Sequence, residues 1–320
     1  MKNSIFIIIL SIFLHIVAIA APANHNIEVI KFIQKMHLKY KFDTNYLQTL
    51  FSQVNLTQDK VKKKYKSNHL TWQQYKNLFI TNNRIKNGKK FIKKNIKILK
   101  IAQQKYGIPL EIIVAILGME TNYGKNQGNN PVFPLLVNKA FTPNKHSKFY
   151  QQELFYFLLL CRQQNWHPLM INGSAAGAIG ESQFMPSSYM HYAISTNSKH
   201  ADLLYNDADA ILSVANFLHK NYWQNNKMIL IPVRITKQNP KLPKNTFKLN
   251  YTLLELKNNF DINFNSSNLI LNSQARFITK LENHKVHYYL GLKNFYVITR
   301  YNHSTNYALA VTMLSKKLVN

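Results

Sequence analysis

Apolar residues recur at three- and four-residue steps along most of the first hundred positions, as in IEVIKFIQKMHLKY (27–40) and TWQQYKNLFI (71–80). One face of a helix has this spacing, so the pattern predicts a mostly helical region. The segments IPLEIIVAILGMET (108–121) and FYQQELFYFLLLCRQQ (149–164) are apolar on nearly all sides, which predicts two buried helices. Pro109 stands near the first turn of the former helix, where proline is tolerated.

The pattern changes near residue 226. MILIPVRIT (228–236), TFKLNYTLLEL (246–256) and HKVHYYLG (284–291) are short and rich in β-branched and aromatic residues, which predicts strands. The C-terminal segment STNYALAVTMLSKKLVN returns to a helical pattern. The chain is therefore predicted to have a mainly helical α+β fold, with an N-terminal helical region (21–106), a catalytic core (107–225), a small β-rich subdomain (226–296) and a C-terminal helix that returns to the core (297–320).

The first twenty residues, MKNSIFIIILSIFLHIVAIA, have the pattern of a secretory signal peptide. Lys2 supplies positive charge, residues 5–17 are mostly apolar, and Ala18-Ile19-Ala20 fits a cleavage site. We expect cleavage after Ala20 and a periplasmic protein; an uncleaved membrane anchor is the alternative. No cysteine stands directly after the apolar stretch, so the chain is not expected to be a lipoprotein. Cys161 is the one cysteine, and we expect it to be a buried apolar side chain.

The charge is strongly unbalanced, with 41 Lys and Arg against 13 Asp and Glu and a net charge of +28. Such a charge favours an anionic partner, for example a cell-wall polymer or a membrane surface. A solvated basic surface that reflects codon bias is the alternative. No nucleic-acid-binding motif is visible, so we expect no nucleic-acid partner. We expect a monomer.

One carboxylate, Glu120, stands among apolar residues in AILGMETNYG (115–124). Burial disfavours the charged form of a carboxyl group and raises its pKa, which would let Glu120 hold a proton near neutral pH and donate it as a general acid. Gly124 is placed to end the helix and to let a cleft reach Glu120. The pattern also allows an ordinary solvated glutamate on the polar face of the helix.

Small residues dominate the loop NGSAAGAIGESQFMPSS (172–188). They let a ligand approach the backbone closely, and the Ser174 hydroxyl and the Gln183 amide are candidate hydrogen-bonding groups for a sugar. A tight junction between helices is the alternative. The sequence has no HExxH, paired-cysteine, phosphate-loop or serine-hydrolase motif, so we predict no metal and no cofactor.

Aromatic and amide side chains alternate in FYVITRYNHSTNYALAV (295–311). Tyr301, Asn302 and Tyr307 would offer flat faces and hydrogen bonds together, which suits a polysaccharide or a peptide. The alternative is the end of a strand followed by a core helix.

Together these segments resemble the lytic murein transglycosylase B family, which is family 103 of the glycoside hydrolases. EIIVAILGMETNYG is similar to the family's glutamate segment, and GSAAGAIGESQFMPSSY is similar to its glycine-rich segment. DADAILSVANFL and NFYVITRYNHSTNYALAV follow in the family's order, and the resemblance covers about residues 65–320. It implies a lysozyme-like core of the goose-type or Slt-like kind. It also implies cleavage of the MurNAc-β-1,4-GlcNAc bond of peptidoglycan, with formation of 1,6-anhydroMurNAc ends.

The resemblance implies a role for individual residues. Glu120 matches the single group that acts first as acid and then as base. Lys145 and His146 stand where two arginines are expected, and they imply recognition of stem-peptide carboxylates. The matched substrate-binding positions are Tyr75, Lys145, His146, Ser174, Gln183, Phe184, Tyr301, Asn302 and Tyr307. Hydrolysis of the same bond by a muramidase, or wall binding without catalysis, are the alternatives.

Two further stretches depart from the family. Ser195, Asn197 and Lys199 stand where a calcium-binding loop would have its ligands, and a lysine repels the ion, so we predict no calcium there. Glu181 is unusual two residues before Gln183. We expect it to be a solvated loop residue; the alternative is a second carboxylate at the edge of the cleft, which would favour attack by water.

Overall fold

The computed structural model describes residues 22–57, 70–197, 199–235, 241–260, 262–265 and 269–319. The predicted signal peptide and its cleavage site lie outside these residues. Within them, no helix combines the length and the apolar character needed to cross a bilayer.

Helices make up most of the described chain, and the first nine precede the sheet. Their bounds are α1 Ile27–Tyr40, α2 Thr44–Ser52, α3 Trp72–Phe79, α4 Asn82–Tyr106, α5 Leu110–Thr121, α6 Val132–Phe141, α7 Ser147–Gln164, α8 Pro186–Tyr192 and α9 Asp207–Lys220. The remaining helices are α10 Leu253–Phe260, α11 Lys293–Tyr301 and α12 Thr305–Val319. The predicted helical regions are confirmed.

Local sequence sets several helix ends. Thr71 and Gln74 form a reciprocal capping box at the start of α3. The Thr81 side chain accepts a hydrogen bond from the Arg84 N–H at the start of α4, and Gly107 ends that helix in the left-handed conformation. Helix α4 packs against α5, which carries Glu120, and α3 packs against α12.

Helix α5 lies at the centre of the molecule. Residues 112–119 are all buried, and the helix packs against α4, α9 and α12. This enclosure explains its nearly uniform apolar sequence, because a helix that is covered on all sides has no polar face. Cys161 is buried in α7, as expected from its apolar neighbours.

A four-stranded antiparallel sheet forms most of the small β subdomain. Its strands are β3 Leu230–Val233, β4 Tyr251–Thr252, β5 Gln274–Glu282 and β6 Lys285–Gly291, in the spatial order β3-β6-β5-β4. Strands β5 and β6 form a hairpin in which Glu282 pairs with Lys285. The two turn residues, Asn283 and His284, have φ values of 48° and 61°, as two-residue hairpin turns require. The other pair, β1 Asn130–Pro131 and β2 Asn172–Gly173, anchors the start of the glycine-rich loop.

Two differences from the sequence prediction concern this part of the chain. The strand predicted in TFKLNYTLLEL is limited to Tyr251–Thr252, since Thr252 and Glu255 cap helix α10 there. The long strand β5 carries no strict alternation of apolar and polar residues and was not predicted. Outside the β subdomain, the single helix predicted over 297–320 is divided into the end of α11 and the whole of α12, because the chain breaks at residues 302–304. The mainly helical α+β class is confirmed.

Candidate active site

Glu120 occupies the last turn of α5. Residues 112–119 and Thr121 are buried, whereas Glu120 between them is partly exposed. Asn122 ends the helix with a φ of 52°, two residues before Gly124, which the sequence analysis had placed at the helix end. The chain turns away at this point, and a cleft can therefore reach the Glu120 side chain.

Among the described residues, one group forms a hydrogen bond with the Glu120 carboxyl group. The Tyr307 hydroxyl donates a hydrogen bond to Glu120 Oε1 with an oxygen–oxygen distance of 2.6 Å. Burial raises the pKa of Glu120 to about 7, although the hydrogen bond from Tyr307 acts in the opposite direction. Near neutral pH a large fraction of Glu120 is therefore protonated, and this is the state in which a carboxyl group can donate a proton.

Three tyrosines surround this carboxyl group. Burial, followed by the Glu120 charge, raises the pKa of Tyr75, of Tyr301 and of Tyr307, so all three phenols stay neutral. The Tyr301 ring lies nearly parallel to the Tyr307 ring, with 6.4 Å between centroids and 10° between planes. Tyr75 lies on α3, where its ring packs against Phe79. The structure thus brings together three of the predicted substrate-binding residues around Glu120.

Phe184 lies in an aromatic layer below Tyr301. Its ring contacts Tyr192, Phe217 and Tyr301, and only 2% of the residue is exposed. This burial corrects the expectation that Phe184 is a substrate-binding residue. The ring supports Tyr301 from inside the protein instead.

The glycine-rich loop is joined to the tyrosines through Ser182. The Tyr301 hydroxyl donates to the Ser182 carbonyl oxygen at 2.6 Å. Gly180 makes the tight turn before it, with a φ of 74° and no room for a side chain, since a Cβ atom would lie 2.3 Å from the Leu203 carbonyl oxygen. The Ser174 hydroxyl oxygen accepts hydrogen bonds from the Ala176 and Ala178 N–H groups.

Gln183 is held in a left-handed conformation with a φ of 50°. Its side-chain Nε2 donates to the carbonyl oxygens of Gln127 and Gly180 at 3.0 and 2.9 Å. Gln127 was not predicted from the sequence; its own side chain donates to the Leu204 carbonyl oxygen and anchors the loop after α5. The Nε2 atom of Gln183 thus forms hydrogen bonds within the protein, and the side-chain amide oxygen is the atom suited to accept a hydrogen bond from a ligand.

Three other predicted residues are exposed. Lys145 and His146 lie in the turn before α7, where the His146 backbone N–H donates to the Asn144 side chain. Asn302 follows the last residue of α11. No described hydrogen bond or ion pair joins these three residues to Glu120 or its tyrosines.

Glu181 is buried, with 4% of the residue exposed, so the expectation of a solvated side chain is wrong. Gly124 leaves the space into which the carboxyl group packs. Burial, followed by repulsion from Asp207, raises the pKa of Glu181 to about 8, while Lys94 acts in the opposite direction. Lys94 Nζ itself donates to Asp207 at 2.8 Å. Glu181 therefore forms a carboxyl pair with Asp207, and no described hydrogen bond joins its side chain to Glu120.

The described residues of the loop where calcium would bind do not offer a suitable set of oxygen ligands. Both oxygens of the Asp209 carboxylate accept hydrogen bonds from the protein, from the Thr196 N–H and hydroxyl and from the Asp202 N–H. Lys199 is exposed in the same loop. The described residues hold no group of three or more His, Cys, Asp or Glu side chains that could bind a metal ion. These residues do not fit calcium, and its absence stays a prediction.

The chain is similar to known proteins in both sequence and fold. Residues 25–316 match the family described as transglycosylase SLT domain. The chain is 34% identical over 298 residues to membrane-bound lytic murein transglycosylase B of Escherichia coli strain K12, covering 89% of this chain and 81% of that protein.

Two solved structures have the same fold. The soluble lytic transglycosylase SltB1 from Pseudomonas aeruginosa has a TM-score of 0.82 and 32% identity, over 91% of this chain and 98% of that one. The Escherichia coli lytic transglycosylase Slt35 in complex with calcium has a TM-score of 0.85 and 34% identity, over 94% of this chain and 95% of that one.

Proposed function

The chain belongs to the transglycosylase SLT domain family, and from this premise we propose that it is a peptidoglycan lytic transglycosylase with Glu120 as its only acid–base group. The substrate bond is the MurNAc-β-1,4-GlcNAc linkage, and the product is a 1,6-anhydroMurNAc end. The observation that carries the assignment of Glu120 is its hydrogen bond to Tyr307, together with a pKa of about 7 in a partly exposed side chain.

Bond cleavage begins with protonated Glu120. Tyr307 donates to Oε1, so Oε2 is the oxygen that carries the acidic proton toward the substrate. Glu120 transfers this proton to the glycosidic oxygen as the bond to the MurNAc C1 breaks, and GlcNAc leaves as an alcohol. The N-acetyl carbonyl of MurNAc stabilises the positive charge at C1, and the Tyr307 hydroxyl stabilises the new Glu120 carboxylate.

Ring closure returns the enzyme to its starting state. The Glu120 carboxylate takes the proton from the MurNAc C6 hydroxyl while that oxygen forms a bond to C1. No water is consumed, and Glu120 ends protonated. A second carboxylate is unnecessary in this scheme, whereas glycosidases that act by hydrolysis use two. Glu181 is a poor candidate for such a base because its buried carboxyl group is paired with Asp207.

Substrate binding uses the remaining predicted residues. The Gln183 amide oxygen accepts from an N-acetyl N–H, and the Ser174 hydroxyl donates to a sugar oxygen. Tyr75 and Asn302 are further groups that bind the sugar chain. Lys145 and His146 supply positive charge for stem-peptide carboxylates.

The cellular setting follows from the substrate. Peptidoglycan lies outside the cytoplasmic membrane, so the protein is exported through its N-terminal segment and acts in the periplasm as a monomer. It remains at the membrane if that segment is not removed.

The test is mass spectrometry of muropeptides that the purified protein releases from sacculi. We expect anhydro-muropeptides from the wild type and none from Glu120→Gln, because the amide cannot donate and recover a proton. Glu111→Gln removes a carboxyl group from the first turn of the same helix and is the matched control, which should retain activity.

Three other outcomes would each contradict the proposal. Products heavier by one water would identify a muramidase. Binding to sacculi without any product would indicate a wall-binding protein. Full activity of Glu120→Gln would remove Glu120 from the mechanism.

A further inference from the structure

Strand β5 has two faces with different partners. Phe277 packs in the small core of the sheet, whereas Ile278 belongs to the main core formed by the helices. Side chains alternate along a strand, so the even positions from 276 to 282 point toward the helices. Three of those positions are charged: Arg276, Lys280 and Glu282.

Glu282 binds helix α3. The Trp72 indole Nε1 donates to Glu282 Oε2 at 2.9 Å, and Lys76 Nζ donates to Glu282 Oε1. Trp72 is buried and Glu282 is largely so. Tyr75 directly precedes Lys76, so this carboxylate holds the turn of α3 that presents Tyr75 to Glu120.

Arg276 and Lys280 bind the first turn of α12. Arg276 Nη2 donates to the Thr305 hydroxyl at 2.9 Å, and Lys280 Nζ donates to the Asn306 side-chain oxygen at 2.5 Å. Tyr307, the partner of Glu120, is the next residue. The Asn306 side chain also reaches the Leu70 carbonyl oxygen just before α3, which links the two helices.

These two cations are in an unfavourable environment. Arg276 is 2% exposed, and its Nε and Nη1 atoms have no hydrogen-bond partner. Burial lowers the pKa of Arg276 to about 10 and also lowers the pKa of Lys280. In the described part of the chain neither cation has an acidic partner, and both lie at the positive end of a helix.

We propose that β5 is a positioning element, which holds Tyr75 and Tyr307 against Glu120 by binding α3 through Glu282 and α12 through Arg276 and Lys280. This inference rests on the proposed function, because it assigns these residues to the same reaction. The role of the β subdomain is then to fix the distance between two helices that are far apart in sequence.

The experiment compares steady-state kinetics of Arg276→Met, Lys280→Met and Glu282→Gln on solubilised glycan strands. We expect kcat to fall about tenfold with KM changed by less than about twofold, since small displacements of catalytic groups reduce turnover more than binding. Looser contact with Tyr307 raises the pKa of Glu120. The basic limb of the pH–rate profile should therefore move to higher pH in Arg276→Met and Lys280→Met.

Matched controls come from helix α10 of the same subdomain. Glu255→Gln and Lys257→Met each remove one exposed charge and should leave kcat and the pH profile unchanged. If a primary variant fails to fold, Thr305→Val removes the hydroxyl that accepts from Arg276 with little change in volume, and Trp72→Phe removes the indole N–H that donates to Glu282 together with one ring. These two variants are expected to lower kcat in the same way.

The outcomes separate this inference from the proposed function. A wild-type protein without anhydro product contradicts the proposed function itself. An active wild type whose β5 variants lose only thermal stability, with kcat and pH profile unchanged, overturns the positioning role. A higher KM at unchanged kcat would also overturn it, because that result indicates a substrate-binding role.

Discussion

Two opposing effects set the pKa of the Glu120 carboxyl group. Burial is the larger effect and raises the pKa, and the Tyr307 hydroxyl counteracts it by stabilising the carboxylate. The resulting pKa of about 7 allows the same group to donate a proton in one step and to accept one in the next. General acid–base catalysis is most efficient when the pKa is near the working pH.

Tyr307→Phe tests this balance. Without the hydroxyl, the charged form of Glu120 loses its hydrogen-bond donor, so the pKa of Glu120 rises. We expect kcat to fall about tenfold and the basic limb of the pH–rate profile to move upward. Tyr205→Phe is the control, because Tyr205 is 86% exposed. An unchanged basic limb would show that Tyr307 does not tune Glu120.

Glu181 affects stability as a function of pH. Its pKa is about 8 in the folded protein against an ordinary value of 4.5, so the folded state binds the proton more tightly than the unfolded state. Its contribution to stability is complete below pH 4.5 and is lost as the pH rises toward 8. The neutral Glu181→Gln variant should therefore melt at a higher temperature than the wild type at pH 8, by about 3 °C, with a smaller difference at pH 5.

Thermal melts at the two pH values, with Glu111→Gln as control, check this prediction. A difference between Glu181→Gln and wild type that is the same at pH 5 and pH 8 would exclude titration of Glu181 as the cause.

At the scale of elements, the loop after β2 depends on the backbone of Gly180. The small residues of this loop are visible in the sequence, but the contacts that require them are made with segments that are distant in sequence. The Gly180 turn meets the carbonyl of Leu203, whereas Gly124 faces only the flexible side chain of Glu181. Both glycines have positive φ values, 74° and 79°.

Gly180→Ala and Gly124→Ala therefore form a matched pair. Each introduces a side chain at a similar φ, but only the Cβ at 180 would collide with backbone, 2.3 Å from the Leu203 oxygen. We expect Gly124→Ala to destabilise by about 1 kcal/mol and Gly180→Ala by about 3 kcal/mol. Denaturant unfolding measures both values. Equal losses would mean that the positive φ, and not the close contact, accounts for the effect.

At the scale of the whole molecule, positive charge is concentrated on α4. This helix has no Asp or Glu. Its exposed lysines are Lys86, Lys89, Lys90, Lys93, Lys94, Lys97, Lys100 and Lys105. Among these α4 lysines, only Lys94 forms a described ion pair, and its partner is Asp207. The remaining charges are free to attract an anionic polymer from a distance.

Binding to purified sacculi should accordingly weaken as salt rises above about 0.15 M. Replacement of four α4 lysines by glutamine (Lys86, Lys89, Lys90 and Lys93) should weaken binding more than replacement of four scattered exposed lysines (Lys39, Lys220, Lys257 and Lys316). Pelleting assays at two salt concentrations compare the two quadruple variants, which have the same net charge. Equal effects of the two sets would assign the attraction to net charge alone.

The sequence by itself determined the local elements and the family. Helical spacing, capping residues and the nearly uniform apolar run before Glu120 predicted the helices, because these signals act between residues a few positions apart. It did not predict β5 or α10, whose structures depend on packing against other segments. The motif order was enough to select Glu120 as the candidate acid.

Only the tertiary structure decided how these residues act together. Tyr307 lies 187 positions from Glu120, and Glu282 lies 210 positions from Trp72. Local sequence predicts a solvated Glu181 and a substrate-binding Phe184, whereas both side chains are buried. Burial, pKa and hydrogen bonding depend on neighbours in space, and those neighbours come together only when the distant segments of the chain pack around α5.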